Sequence, residues 1–301
     1  MNRFSFTLCI LLLLLADRYM LAAQNHPSYE GTIIHMHSAH TSFPDTARLK
    51  GHVYDSVLYD AAGHYSDSSV LILWPSLLKK PGTLNIVFWF HGWRNNIDTA
   101  LSYYHLKEQF LAANRNAILV LAETTKNAPD SYGGKLEQPG VFASLVDDVL
   151  GELKKNKLIG KNCKTGNIVL AGHSGAFRVI ARILQNGGMK VQEVELFDAL
   201  YGETNLYDNW IRSDSSHRFI HWYTNQGGGT DEVSMAFMNQ LKQEGYAFLS
   251  TEEAGITSAV LQSSSILFVH STRAHNDIIF NPDNFRLLLE TSPYLVPFHE
   301  R

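Results

Sequence analysis

Two rhythms of apolar and polar positions alternate along this chain. Solid apolar runs, such as those in "LNIVFWFHGW", "AILVLAET" and "NIVLAGH", suit strands buried on both faces. Between them "TALSYYHLKEQFLAAN", "VFASLVDDVLGELKKN" and "GAFRVIARILQ" space their apolar residues at helical intervals. Asp98 is placed to cap the first of these helices, with Ile97 as a hydrophobic staple. Gly187-Gly188 stops the third, where Ala176, Val179, Ile180, Ile183 and Leu184 form the apolar stripe. Two β-rich runs, "GHVYDSVLYD" and "SSVLILWPS", come earlier and predict antiparallel strands at one edge. "VQEVELFDALYG", "HRFIHWYTNQGGG" and "SSILFVHSTRAH" supply three later strands, "DEVSMAFMNQLKQEG" a helix between the last two, and "NPDNFRLLLETS" a closing helix. The alternation predicts an α/β chain with a mostly parallel, eight-stranded sheet covered by helices on both faces.

Composition agrees with one sizeable core. Of 301 residues, 45% are hydrophobic and 18% charged, which excludes wholesale disorder. The net charge of −4 is mild and the basic residues form no long run, so no nucleic-acid partner is expected. Arg3, the apolar block "FSFTLCILLLLLA" and the small residues of "LAAQ" read as a signal peptide over 1–23. The block is short for a bilayer span, so no stable membrane insertion is expected after cleavage, and the product is secreted or periplasmic. A single domain, 24–301, remains. It keeps one cysteine, Cys163, and so no internal disulfide.

The densest chemistry lies in "NIVLAGHSGAFR". A strand ends in Gly172-His173-Ser174-Gly175-Ala176 and a helix begins at once. A serine between small residues at such a junction is a nucleophile elbow: the turn strains the serine backbone, and residues two before and two after must be small. The competing reading is a tight Gly/Ser turn at a ligand-binding helix N-terminus. No GxGxxG or GxxxxGK[ST] pattern accompanies it, which counts against a nucleotide.

The elbow, the strand order and the His91-Gly92 dipeptide that closes the third strand together resemble the α/β-hydrolase fold, over roughly residues 50–290. The segments "FHGWRNNID", "NAPDSYGGKLE", "GHSGAFR" and "LFDALYG" also look like a group of bacterial secreted serine hydrolases. The resemblance implies a three-layer sandwich and a Ser, acid, His triad in that chain order. It implies Ser174 as nucleophile, His275 as base, and the N–H groups of Trp93 and Gly175 as the oxyanion hole. The acid is Asp198 or Asp231. Asp198 is preferred, because Asp231 is accounted for by the first turn of a helix that Thr230 caps.

Other residues are candidates for the pocket: His91, His173, and Asp130, Tyr132 and Lys135 in the polar loop 124–140. His173 is too closely tied to the nucleophile's backbone to be its base, and His91 braces its loop rather than titrating. His35, His37 and His40 cluster in "IIHMHSAH", but no further ligand is singled out, so no metal is expected. Neither metal nor organic cofactor is needed. The connection between the sixth and seventh strands is too short for a large lid. These features predict cleavage of a small-molecule or polymer-linked carboxylic ester. An amidase or peptidase acting on a cell-envelope substrate, and a non-catalytic ligand-binding protein, are the alternatives.

Overall fold

The parity of apolar residues along the central strands decides how the layers form. The structure, a computed structural model, describes residues 30–298; the expected signal peptide lies outside them. In the strand Thr83–Phe90 (β5), Ile86, Phe88 and Phe90 face one core, while Val87 and Trp89 face the other. The same split runs through Ala117–Ala122 (β6) and Lys164–His173 (β7): Ile118, Val120, Ile168 and Leu170 on one side, Leu119, Leu121 and Val169 on the other. A strand apolar at every position therefore needs cover on both faces. Helices Val141–Lys155 and Phe177–Asn186 supply it on the first face. Ile97–Tyr103, Leu106–Ala112 and Asn284–Thr291 supply it on the second.

One sheet of nine strands results. Its other members are Gly31–His37 (β1), Ser69–Pro75 (β4), Glu193–Phe197 (β8), Arg218–Thr224 (β9), Leu249–Glu252 (β10) and Ile266–Ser271 (β11). The order is β1-β4-β6-β5-β7-β8-β9-β11-β10, and β4 alone runs against the direction of the other eight.

The edges differ from the eight-strand expectation. The run 51–60 is not in the sheet: Asp55 and Ser56 both take positive φ and fold it into a separate two-stranded ribbon, His52–Tyr54 (β2) with Val57–Tyr59 (β3). The edge strand is instead β1, whose alternating half-exposed residues carry His35 and His37. At the far edge, β10 is too short and too exposed to announce itself. The helix expected over 99–114 breaks at His105, where φ is +50°, into two. Its N-cap is Asn96, whose side chain accepts from the Thr99 amide at 2.9 Å; Asp98 lies in the first turn instead.

Residues 38–68 form a capping excursion between β1 and β4. His37 pairs with Ser69, and Val70 pairs with Ala122 at the carboxyl end of β6. The excursion therefore leaves the sheet at the carboxyl ends of the parallel strands. There Phe43 and Tyr65 build a small core with Ala128, and Tyr132 packs against it. Between β8 and β9 stands one helix, Thr204–Ser213.

Candidate active site

Ser174 follows β7 with φ at +55°, a left-handed conformation that a non-glycine residue holds only when its surroundings impose it. The surroundings are on view. A Cβ at Gly172 would meet the Ala176 Cβ at 2.7 Å, so the two small residues of the motif touch each other across the turn. A Cβ at Gly92 would meet the Ser174 Cβ at 2.6 Å and come within 3.2 Å of the Gly175 nitrogen. The loop after β5 thus lies directly on the elbow, which is why the residue after His91 must be glycine. Ser174 itself is part-exposed. Among the described residues the Trp93 amide has no hydrogen-bond partner. The loop that carries it brings the Gly92 Cα beside the Gly175 amide.

Asp198 follows β8 and is fully buried, also with positive φ. Its Oδ1 accepts from the Thr230 hydroxyl at 2.7 Å, the Thr230 amide at 3.0 Å and the Thr224 amide at 3.3 Å. Its Oδ2 accepts from His275 Nδ1 at 2.5 Å. Burial alone would push this carboxyl up, but the donors from His275 and Thr230 outweigh it and hold Asp198 below the usual carboxylate range. Asp231 begins the helix Asp231–Gln243. Thr230 sits at the cap position, yet its hydroxyl turns to Asp198 rather than capping the helix, which corrects the expected role.

His275 comes from the loop after β11. With Nδ1–H committed to Asp198, the free lone pair is on Nε2. Among the described residues no hydrogen bond joins Ser174 Oγ to the imidazole in this structure.

His173 and His91, expected in the pocket, are both buried behind it. A carbonyl only accepts, so His173 Nε2–H donates to the His275 carbonyl at 3.0 Å, and Nδ1 must then accept from the Tyr104 hydroxyl at 3.0 Å. Burial, reinforced by the neighbouring His275, pushes His173 down to about 3, so the ring stays neutral and suits this pattern. Its ring lies 4.4 Å from that of His275, centroid to centroid, and Tyr104 also touches Asn276 at 3.2 Å. His173 therefore props the loop that carries His275 from beneath. Burial works against charge on His91, but Glu123, 2.6 Å from Nε2, outweighs it and raises its affinity for a proton; the ring also bonds the Gly92 carbonyl at 2.8 Å.

The loop 124–140 does reach the elbow, though through a residue the sequence did not single out. Ser131 Oγ accepts from Trp93 Nε1 at 2.7 Å, beside Gly175. Asp130 is occupied by Arg48, at 2.8 Å, and by Tyr65, at 3.3 Å. The Tyr132 hydroxyl donates to Asp45 at 3.0 Å, and Lys135 to the Ala39 carbonyl at 2.6 Å. These three residues hold the excursion instead of lining the space before Ser174. Tyr201 was also missed. Its ring lies 6.4 Å from that of His275, centroid to centroid, and its hydroxyl, near the Ser174 side chain, donates to the Gly228 carbonyl at 2.6 Å. Thr230, Tyr104 and Asn276 carry no motif of their own.

His40 leaves the histidine cluster to bond Asp148 at 2.8 Å, and His37 Nδ1 pairs with the Ser68 hydroxyl at 3.3 Å. Among the described residues no three metal-ligating side chains gather.

No protein-family profile matches the sequence, and no curated protein does. Solved structures do match. The feruloyl esterase module of Clostridium thermocellum, a serine-to-alanine mutant complexed with sinapinate, superposes with a TM-score of 0.56 at 10% identity, covering 92% of each chain. A ferulic acid esterase gives 0.52 at 8% identity, covering 87% of this chain and 100% of its own. The ferulic acid esterase of the anaerobic fungus Anaeromyces mucronatus gives 0.51 at 10% identity, covering 89% and 93%. The chain has the α/β-hydrolase fold, as its elbow and strand order led us to expect.

Proposed function

We propose that this protein is an exported serine hydrolase that cleaves a carboxylic ester through an acyl-enzyme. The observation that carries the reading is the His275–Asp198 pair, aligned at the carboxyl ends of the strands beside a serine in strained backbone. That the three structural neighbours named above are esterases supports the ester over the amide.

In this reading the Ser174 hydroxyl attacks the ester carbonyl as His275 Nε2 takes its proton. Asp198 fixes the tautomer and stabilises the imidazolium that forms. The oxyanion accepts hydrogen bonds from the Trp93 and Gly175 amides, and losing one such donor typically costs about 3–4 kcal/mol of transition-state stabilisation. His275 then protonates the departing alkoxide, leaving an acyl group on Ser174. A water, giving its proton to the same nitrogen, hydrolyses that acyl-enzyme and restores the serine. Residues 1–23 serve as the signal peptide, and the mature chain begins after Ala23.

Hydrolysis of p-nitrophenyl acetate by the wild-type protein and Ser174→Ala tests the reaction. The wild type should turn over and the variant should lose nearly all activity. Equal rates for both would overturn the reading. Amino-terminal sequencing of the exported protein tests the cleavage site.

A further inference from the structure

The ribbon β2–β3 carries more exposed apolar surface than a protein surface ordinarily leaves unused. Between Leu49 and Leu58, four aliphatic residues stand more than half exposed, and Tyr54 is 38% exposed. Scattered apolar residues mean little, but a contiguous group beside a reactive serine is a different object. Strand register divides the group. Tyr54 and Val57 are cross-strand partners on one face, Val53 and Leu58 on the other.

Only the first of these faces continues to the nucleophile. Tyr54 meets the Trp93 indole edge-on at 5.2 Å. The indole lies on the elbow itself, since a Cβ at Gly175 would meet Trp93 Cδ1 at 2.4 Å. Trp93 is 42% exposed, so an apolar path runs from Ser174 across the indole to Tyr54 and Val57. The path is held in place. Arg48–Asp130, Tyr132–Asp45 and Lys135–Ala39 tie the excursion to the loop whose Ser131 anchors Trp93.

The direction of proton transfer says which part of a substrate lies there. The departing oxygen must end beside His275 Nε2, which protonates it, and Tyr201 stands on that same side. With the oxyanion turned to the backbone amides and the departing oxygen to His275, the exposed indole that lies on the elbow is the apolar surface left for the acyl group. Resting on the ester-cleaving reading above, we propose that Trp93, Tyr54 and Val57 form an acyl-binding strip, and that the enzyme favours esters of medium or long aliphatic acids. The capping excursion is then a fixed specificity element. An acetyl group is too short to reach the ribbon; an octanoyl chain lies along it.

The test compares p-nitrophenyl acetate with p-nitrophenyl octanoate, the latter below its micellar concentration. Wild type should show a higher kcat/KM on octanoate. Val57→Asp should lower octanoate kcat/KM about tenfold, the scale of one lost apolar contact in a specificity pocket, and leave acetate within about twofold. Val53→Asp places the same charge on the opposite face of the same ribbon and should change neither. Thermal unfolding checks both variants, and Val57→Ser replaces Val57→Asp if that variant does not fold. An unchanged acyl preference in the Val57 variant overturns the strip. So do equal octanoate losses in both aspartate variants, which would make the ribbon a docking element for a lipid surface or a second protein. Persistence of acetate hydrolysis in Ser174→Ala would instead overturn the esterase reading, independently of the ribbon.

Discussion

Asp198 and Glu195 sit three residues apart, at the end of β8 and within it, and neither has any solvent exposure. Asp198 receives four hydrogen bonds, from Thr224, Thr230 twice and His275. As a carboxylate, Glu195 has no donor for either oxygen. Its neighbour Glu193 takes both of the nearby polar partners, Arg218 and Ser292. Burial and the Glu193 charge raise Glu195 well above the usual range, against the pull of Arg218, while Asp198 is held below it. As an acid, Glu195 gains an O–H to give to Glu193. Neither position is exposed, and the neighbours set the charge: donors around Asp198, a second carboxylate beside Glu195.

The comparison can be broken most severely at Asp198. Asp198→Asn should keep the fold but lower kcat by about 10⁴, because the amide no longer enforces the imidazole tautomer. Asp231→Asn, on the helix that starts one residue after Thr230, should stay within about twofold in the same assay. A large loss in the second variant with none in the first would reassign the acid.

A smaller effect is expected from Thr230→Val, which removes one donor and keeps the amide. Hydrogen bonds to charged groups are worth about 1.5–3 kcal/mol, so unfolding at pH 7 should shift by roughly that amount. A carboxyl with a depressed folded pKa contributes stability above its unfolded value, near 3.9, and loses it as pH falls through the folded one. The gap between Thr230→Val and wild type should therefore narrow as pH falls below about 4. A gap constant down to pH 2 would mean that the hydroxyl acts by packing.

The smallest effect at neutral pH is expected from Glu195→Gln, which replaces a carboxyl whose charged form burial and Glu193 disfavour. Here the sign reverses. A raised folded pKa contributes stability below the unfolded value, near 4.3, that declines as pH rises toward the folded one. Wild-type stability should carry this decline, and Glu195→Gln should flatten it without changing kcat. An equally steep decline in the variant would mean that Glu195 is ionised at pH 7.

The sequence made the central strands and the elbow legible for one reason: both are dictated locally. Unbroken runs of four to six apolar residues admit few other fates, and Gly172-His173-Ser174-Gly175-Ala176 encodes the contact between positions 172 and 176 in its residue sizes. What escaped depends on distant partners. The ribbon at 52–59 reads as one strand until Asp55 and Ser56 are seen at positive φ. Asp130, Tyr132 and Lys135 read as pocket residues until the excursion takes up their polar atoms. The preference for Asp198 over Asp231 rests on the helix that Asp231 begins, whereas the three backbone and side-chain donors around Asp198 come from residues 224 and 230 and leave no trace in sequence. Tyr201 and Ser131 lie in no motif at all.

The most direct test of the account is site mapping with a fluorophosphonate, which bonds only to an activated serine. Digestion and mass spectrometry of the labelled wild-type protein should find a single adduct on the peptide containing Ser174, formed far more slowly in Asp198→Asn and at an unchanged rate in Asp231→Asn. An adduct on another serine, or an unlabelled Ser174 in the folded wild-type protein, would contradict it.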